Sequence, residues 1–328
     1  MLRSETADDP ARMSAALAGL RAYQAAVRPA RPAAMPIVAS SGRATLRDYG
    51  GAGRPVIVVP SLINPPDVLD LLPDLSLMRW LATKGVRPML VDWGTPSADE
   101  RDLDIAGHIE RLLLPLIDAI GADATLAGYC LGGTMALAAA AIRPPAALAL
   151  IAAPWRFAGF LDEAREGMRA LWQQAEPTAG TMGLLPVEVL QAAFWRLDPA
   201  RTIAKFVAFG TGERDDDAIR RFVALEDWAN DGAPLTLAAG RELALGLFGE
   251  DFPGSGHWTV GGRTIDPAAL GCPVLDIVST TDRIVPAASA TGVGRRLTLA
   301  QGHVGMMVGG RARTSLWEPL AAWLRDPD

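Results

Sequence analysis

Beyond residue 50 the chain alternates short, continuously apolar runs with longer stretches of helical period. Val56–Val59 is a β-branched run, Leu75–Thr83 has helical spacing, and Met89–Val91 reads again as a strand. Ile105–Ile120 predicts a helix stopped by Gly121, Thr125–Ala127 a strand, Thr134–Ile142 a helix and Leu148–Ala152 a strand. Runs that are apolar on both faces and spaced by helices describe a mostly parallel sheet with helices on both faces, an α/β architecture.

The alternation stops at Trp155. From there to about Thr264 the pattern is helical with Gly and Pro breaks, and buried-strand runs are scarce. Strands resume at Val274–Val278 and Arg295–Leu299, and a closing helix spans roughly Thr314–Leu324. An insertion of about a hundred residues rarely persists as bare loop, so it reads as a helical cap set into one sheet. Ahead of the sheet, Ala11–Val27 has a helical pattern ended by Pro29, Pro32 and Pro36. The expected organisation is an N-terminal arm (1–36), the first part of the sheet domain (37–154), the cap (155–264) and the second part (265–328).

Composition sharpens this picture by exclusion. The chain has 328 residues, half of them apolar, with 31 Lys+Arg against 37 Asp+Glu and a formal charge of −6. That balance supplies a core and excludes general disorder and a broad nucleic-acid-binding surface. Two cysteines, Cys130 and Cys272, make no disulfide framework and suit a reducing, cytoplasmic setting. The opening MLRSETADDP lacks the apolar stretch of a secretory signal. Ala124–Ile142 is free of charge over the length of a membrane span, but Gly128, Gly132 and Gly133 break it into a strand, a turn and a helix, so no span is expected.

The chemistry concentrates in that break. Gly128-Tyr129-Cys130-Leu131-Gly132 follows a strand and opens a helix, as a G-x-S-x-G nucleophile elbow does, with Cys in place of Ser. Such a turn strains the nucleophile's backbone and tolerates almost no side chain two residues either side. The thiol would project at a helix N-terminus, where the dipole and a neighbouring imidazole favour thiolate. An elbow predicts an acid and then a histidine on loops after later strands. Asp282, in Thr280-Thr281-Asp282-Arg283-Ile284-Val285-Pro286, and His303, in Gly302-His303-Val304-Gly305, meet that order.

Other residues compete less well. Asp276 is a rival acid but falls inside a strand, and Cys272, before Pro273, reads as packing. His108 lies beside Glu110 and Arg111 and predicts a solvated helix face; His257 reads as a cap or hairpin position. Three isolated histidines and two distant cysteines offer no metal-ligand spacing, and the glycines lack the lysine of a phosphate loop, so neither metal nor cofactor is expected. Five of the nine tryptophans (Trp155, Trp172, Trp195, Trp228 and Trp258) fall in the cap, where they either pack it onto the sheet or line an acyl channel.

Cysteine carries information of its own. An acyl group moved from a thioester to a thiol stays a thioester, so its activation survives to drive ester formation. At these residues the chain resembles the polyhydroxyalkanoate synthases. The resemblance runs through Pro60-Ser61-Leu62-Ile63-Asn64, Leu69-Asp70-Leu71, Ser76-Leu77, Val91-Asp92-Trp93-Gly94 and the elbow with Gly133. It continues through Val260–Asp266, Asp282–Pro286 and Gly302–Gly305, covering most of residues 50–310 in order. It departs at Pro65-Pro66-Asp67, where the family often has an aromatic residue.

The resemblance implies an α/β-hydrolase fold with the cap inserted before the acid-bearing strand. It further implies a Cys130–His303–Asp282 acyltransferase that polymerises hydroxyacyl-CoA. The backbone N–H of Leu131 and one from Ser61–Ile63, centred on Leu62, would form the oxyanion hole. With only a short arm ahead of the sheet, the chain looks like the catalytic subunit of the two-subunit synthases. A second synthase subunit or a homodimer, and a polyester granule surface, are the implied partners. Two other readings compete: a Cys-dependent hydrolase (thioesterase, esterase or polyester depolymerase), and a non-catalytic granule- or partner-binding protein.

Overall fold

A computed structural model describes residues 2–212 and 215–328. Its centre is an eight-stranded sheet: β1 Ile37–Ser41, β2 Ala44–Asp48, β3 Pro55–Val59, β4 Arg87–Asp92, β5 Thr125–Tyr129, β6 Leu148–Ile151, β7 Val274–Ser279 and β8 Arg295–Leu299. In space they run β1-β2-β4-β3-β5-β6-β7-β8, antiparallel from β1 through β4 and parallel from β4 onward. The β-branched run serves two cores at once. Ile57 and Val59 face one apolar layer, while Val56 and Val58 face the other, as the two-residue strand period requires.

After β3 the chain moves outward to β4, then crosses back to build β5 on the other side. A parallel sheet opens a crevice where its winding reverses, beyond the carboxyl ends of the strands. The loops after β3 and β5 meet there. The hairpin β1–β2 carries no long apolar run, and Ile37 and Val38 at the sheet edge are half exposed. That explains why the sequence pattern shows no strand at 37–48.

Helix α1 (Pro10–Ala25) starts at Asp9, whose carboxylate accepts from Arg12 N–H at 2.9 Å. Residues 75–83, helical in pattern, divide into the short strand Leu75–Ser76 and helix α2 (Leu77–Ala82). Ser76 Oγ caps α2 by accepting from Arg79 N–H at 3.0 Å. Helix α3 (Leu131–Ile142) is buried from Leu131 to Ala140, so small residues dominate it.

Between β6 and β7 lie α4 (Asp162–Met182), α5 (Val187–Leu197), α6 (Pro199–Thr211) and α7 (Asp216–Ala229). A ribbon pairing Leu184–Leu185 with Leu235–Thr236 closes the excursion that holds α5, α6 and α7. The helical stretch after it is tied to the sheet layer by Glu242, which accepts from Ile105 N–H at 2.6 Å and from Trp258 Nε1 at 2.7 Å. Helix α1 crosses α6 at Gly19 and Gly210. A Cβ at Gly19 would stand 1.8 Å from the Phe206 carbonyl oxygen. Helix α8 (Glu318–Arg325) closes the chain against the sheet. No helix among the described residues is long and apolar enough to cross a membrane.

Candidate active site

Cys130 links β5 to α3 with φ 57° and ψ −134°, a conformation that costs a side-chain-bearing residue of order 1–3 kcal/mol. Its surroundings hold it there. Cys130 N–H donates to the Ile151 carbonyl at 3.0 Å, and its own carbonyl accepts from Gly133 N–H at 2.8 Å. A Cβ at Gly132 would lie 2.2 Å from the Val59 oxygen and 2.5 Å from the Pro60 oxygen. The glycine therefore lets the start of α3 lie against the loop after β3.

His303 lies beyond β8, and Asp282 lies in the loop after β7. The ring Nδ1–H donates to Asp282 Oδ2 at 2.6 Å. The other carboxylate oxygen accepts from Ile284 N–H at 2.8 Å and Val285 N–H at 2.9 Å, so Asp282 cannot swing away without losing three partners. Asp282 leaves Nε2 free, and His303 shares its cavity with Cys130, whose side chain acts on the titration of the ring. Burial alone would lower the His303 pKa. The charge of Cys130 and the bond to Asp282 outweigh burial and raise it to about 10. The Tyr129 ring stacks on His303 with centroids 4.9 Å apart, a support the sequence pattern did not single out. Its hydroxyl donates to the His303 carbonyl at 3.3 Å.

Cys130, Tyr129 and His303 line a cavity of about 200 Å³. Leu131 opens α3, so its N–H has no intrahelical acceptor. Ser61 and Ile63 line the cavity, whereas Leu62 between them borders a neighbouring one. Ile63 N–H already donates to Ser61 Oγ at 3.2 Å. Trp93 Nε1 donates to the Pro60 carbonyl at 3.0 Å, which fixes the start of this loop.

The remaining candidates separate on burial and partners. Asp276 is buried in β7 and bonded to Arg296 at 3.1 Å, away from His303. His108 is not on a solvated face. Only 1% exposed, it is held between the Asp104 carbonyl at 2.6 Å and Arg43 at 2.7 Å. Helix 105–120 lies in the core, and the charged neighbours Glu110 and Arg111 that suggested exposure occupy its other side. Burial pushes the His108 pKa down to about 4. His257 is exposed beside Ser255. The tryptophans divide: Trp155, Trp172 and Trp258 are buried as packing, while Trp195 and Trp228 line the cavity. Among the described residues no cluster of His, Cys, Asp and Glu has the makings of a metal site.

This strand order, with a strained strand-to-helix turn after β5 and a cap between β6 and β7, defines an α/β-hydrolase fold. Solved structures agree. An esterase from Exiguobacterium antarcticum superimposes with TM-score 0.53 at 14% identity, covering 86% of this chain and 96% of its own. The monoacylglycerol lipase of Paleococcus ferrophilus gives 0.51 at 14% identity, over 89% of this chain and 99% of its own. No protein-family model matches the chain.

Sequence relatives narrow the class. The poly(3-hydroxyalkanoate) polymerase subunit of Haloferax mediterranei is 27% identical over 293 residues, which make up 83% of this chain and 58% of that one. The corresponding subunit of Allochromatium vinosum is 27% identical over 291 residues, 83% of this chain and 81% of that one. The chain thus spans only 58% of the Haloferax relative and 60% of the one from Haloarcula marismortui. The chain has an α/β-hydrolase fold and is similar in sequence to poly(3-hydroxyalkanoate) polymerase subunits.

Proposed function

We propose that this chain is a polyester-forming acyltransferase that draws hydroxyacyl groups from hydroxyacyl-CoA through a thioester on Cys130. The observation that carries the reading is a cysteine, rather than a serine, on the strained elbow, sharing its cavity with a histidine bonded to a buried carboxylate at 2.6 Å.

The cycle balances without a cofactor. The Cys130 thiolate attacks the thioester carbonyl, and the resulting oxyanion is met by the N–H of Leu131 and by a donor from the loop Ser61–Ile63. Collapse expels the CoA thiolate, which takes the proton from His303 Nε2. The neutral imidazole then accepts the proton of an incoming hydroxyl as its oxygen attacks the acyl-Cys carbonyl. The ester leaves, and thiolate and imidazolium are restored. Asp282 holds the ring's orientation throughout. Cap helices α5, α6 and α7 limit water at the thioester, which favours a hydroxyl acceptor over hydrolysis.

The relatives are named as polymerase subunits. By the same reading this chain works in an assembly, with a second subunit or a second copy, at the surface of its own polymer. Incubation with 3-hydroxybutyryl-CoA tests the acceptor: CoA release with polymer supports synthesis. CoA release with only free 3-hydroxybutyrate would make the chain a hydrolase.

A further inference from the structure

The cavity around Cys130 has a divided lining. Its floor comes from the sheet domain, and much of its roof comes from the cap, where Gln191, Thr202, Lys205 and Asn230 bring polar groups among Phe194, Trp195 and Trp228. Lys205 is one of only two lysines among 31 basic residues, the other being the exposed Lys84. A chain that uses arginine almost everywhere thus places a lysine in the lining of the reacting cavity, its side chain 34% exposed and its ammonium 5.2 Å from the centre of the Phe206 ring. Its Nζ donates to Glu226 Oε2 at 2.7 Å, from α6 to α7, and the Glu226 side chain is 6% exposed. An ammonium has three N–H donors, and Glu226 occupies one.

We propose that Lys205 is a specificity-determining residue that donates a hydrogen bond to an oxygen on the acyl chain carried by Cys130. For its substrate the inference rests on the acyltransfer reading. Cys130 and Lys205 line the same cavity of about 200 Å³, so an acyl group on the thiol shares that space with the cap lining. The pairing with Glu226 fixes the kind of oxygen. An isolated ammonium would call for an anion, but the Lys205–Glu226 pair is neutral overall, and its carboxylate would repel one. A hydroxyl or ester carbonyl suits the remaining donors. A plain hydrocarbon chain would strip water from the ammonium and return no bond, which is how a polar site rejects an analogue lacking the oxygen.

The test uses amides, which occupy the cavity without acylating the thiol. Alkylation of Cys130 by iodoacetamide is followed by peptide mass mapping in the presence of 3-hydroxybutyramide or butyramide. In the unsubstituted protein the hydroxylated amide should protect at about tenfold lower concentration. In Lys205→Met/Glu226→Gln, which removes the donor without leaving a buried carboxylate unpaired, the two amides should protect alike. Equal protection in the unsubstituted protein, or a preference that survives in the double variant, overturns the proposal. If 3-hydroxybutyryl-CoA leaves Cys130 unmodified while the amide preference holds and depends on Lys205, the acyltransferase reading fails and Lys205 remains the selector of a hydroxylated ligand beside Cys130.

Discussion

At Cys130 and His303 two opposing effects meet, and their sizes decide the resting state. Burial disfavours a charged ring, yet the charge of Cys130 and the bond to Asp282 raise the His303 pKa to about 10. The stabilisation from that protonated ring is complete below the ordinary histidine value near 6.5 and is lost as pH rises through about 10. Removing the sulfur leaves burial opposed only by Asp282. In Cys130→Ala the His303 pKa should therefore fall by more than one unit, read from ring nitrogen shifts in an NMR titration; an unchanged value would mean that the two side chains do not interact. His108 has the opposite sign. With its pKa down at about 4, its folded environment favours the neutral ring. Stability is full above about 6.5 and falls as pH drops toward 4, by on the order of 3 kcal/mol. The urea midpoint of His108→Gln should lose less between pH 7 and pH 4.5 than that of the unsubstituted protein. The sequence sets Asp282 and His303 on loops after successive strands, and those loops lie side by side because β7 and β8 are paired, so the two side chains meet at 2.6 Å. The sequence pattern misplaced His108, since the local charges of Glu110 and Arg111 say nothing about which side of a helix meets the core.

Among the elements, α3 and the loop after β3 depend on each other most closely. Gly132→Ala would drive a Cβ into backbone oxygens of Val59 and Pro60, which cannot rotate away as a side chain can. The expected cost is roughly 2–4 kcal/mol of unfolding free energy by urea titration, with loss of acylation. Gly180 in α4 has open space at its Cβ position. Gly180→Ala should stabilise by up to ~1 kcal/mol, through helix propensity alone. Six of the eight strands were legible, those from β3 to β6 by their apolar runs, β7 despite Asp276 within it and β8 despite its two arginines. The hairpin β1–β2 was not, since an edge strand with half-exposed Ile37 and Val38 needs no such run. Neither was the identity of the cap residues at the cavity, apart from Trp195 and Trp228 as members of a group. Which side of α5, α6 or α7 turns inward depends on packing that helical periodicity does not specify.

Taken whole, the molecule ties the helical part of its arm to the cap and the arm's last residues to the sheet domain, where Asp48 N–H donates to the Pro36 carbonyl at 2.9 Å and Arg79 to the Ala33 carbonyl at 2.8 Å. Tyr23 on α1 donates to Asp227 on α7 at 2.5 Å, Arg28 pairs with Asp227 at 3.2 Å, and Arg31 pairs with Asp231 at 3.0 Å. The crossing of α1 and α6 at Gly19 brings the arm against the same helix that carries Lys205. Gly19→Val should separate arm from cap while leaving the sheet folded. Limited proteolysis would then cut within residues 1–35 several times faster, at unchanged far-ultraviolet signal from the strands. Uncut arms in that variant would show that the crossing contributes little. Under the proposed function these layers serve one chemical event, the transfer of an acyl group to Cys130. Intact mass spectrometry after brief mixing with 3-hydroxybutyryl-CoA measures it directly. The account predicts an increase of one hydroxybutyryl group that maps to Cys130 and is absent in Cys130→Ala. An unmodified chain, or an adduct that persists in Cys130→Ala, would contradict it.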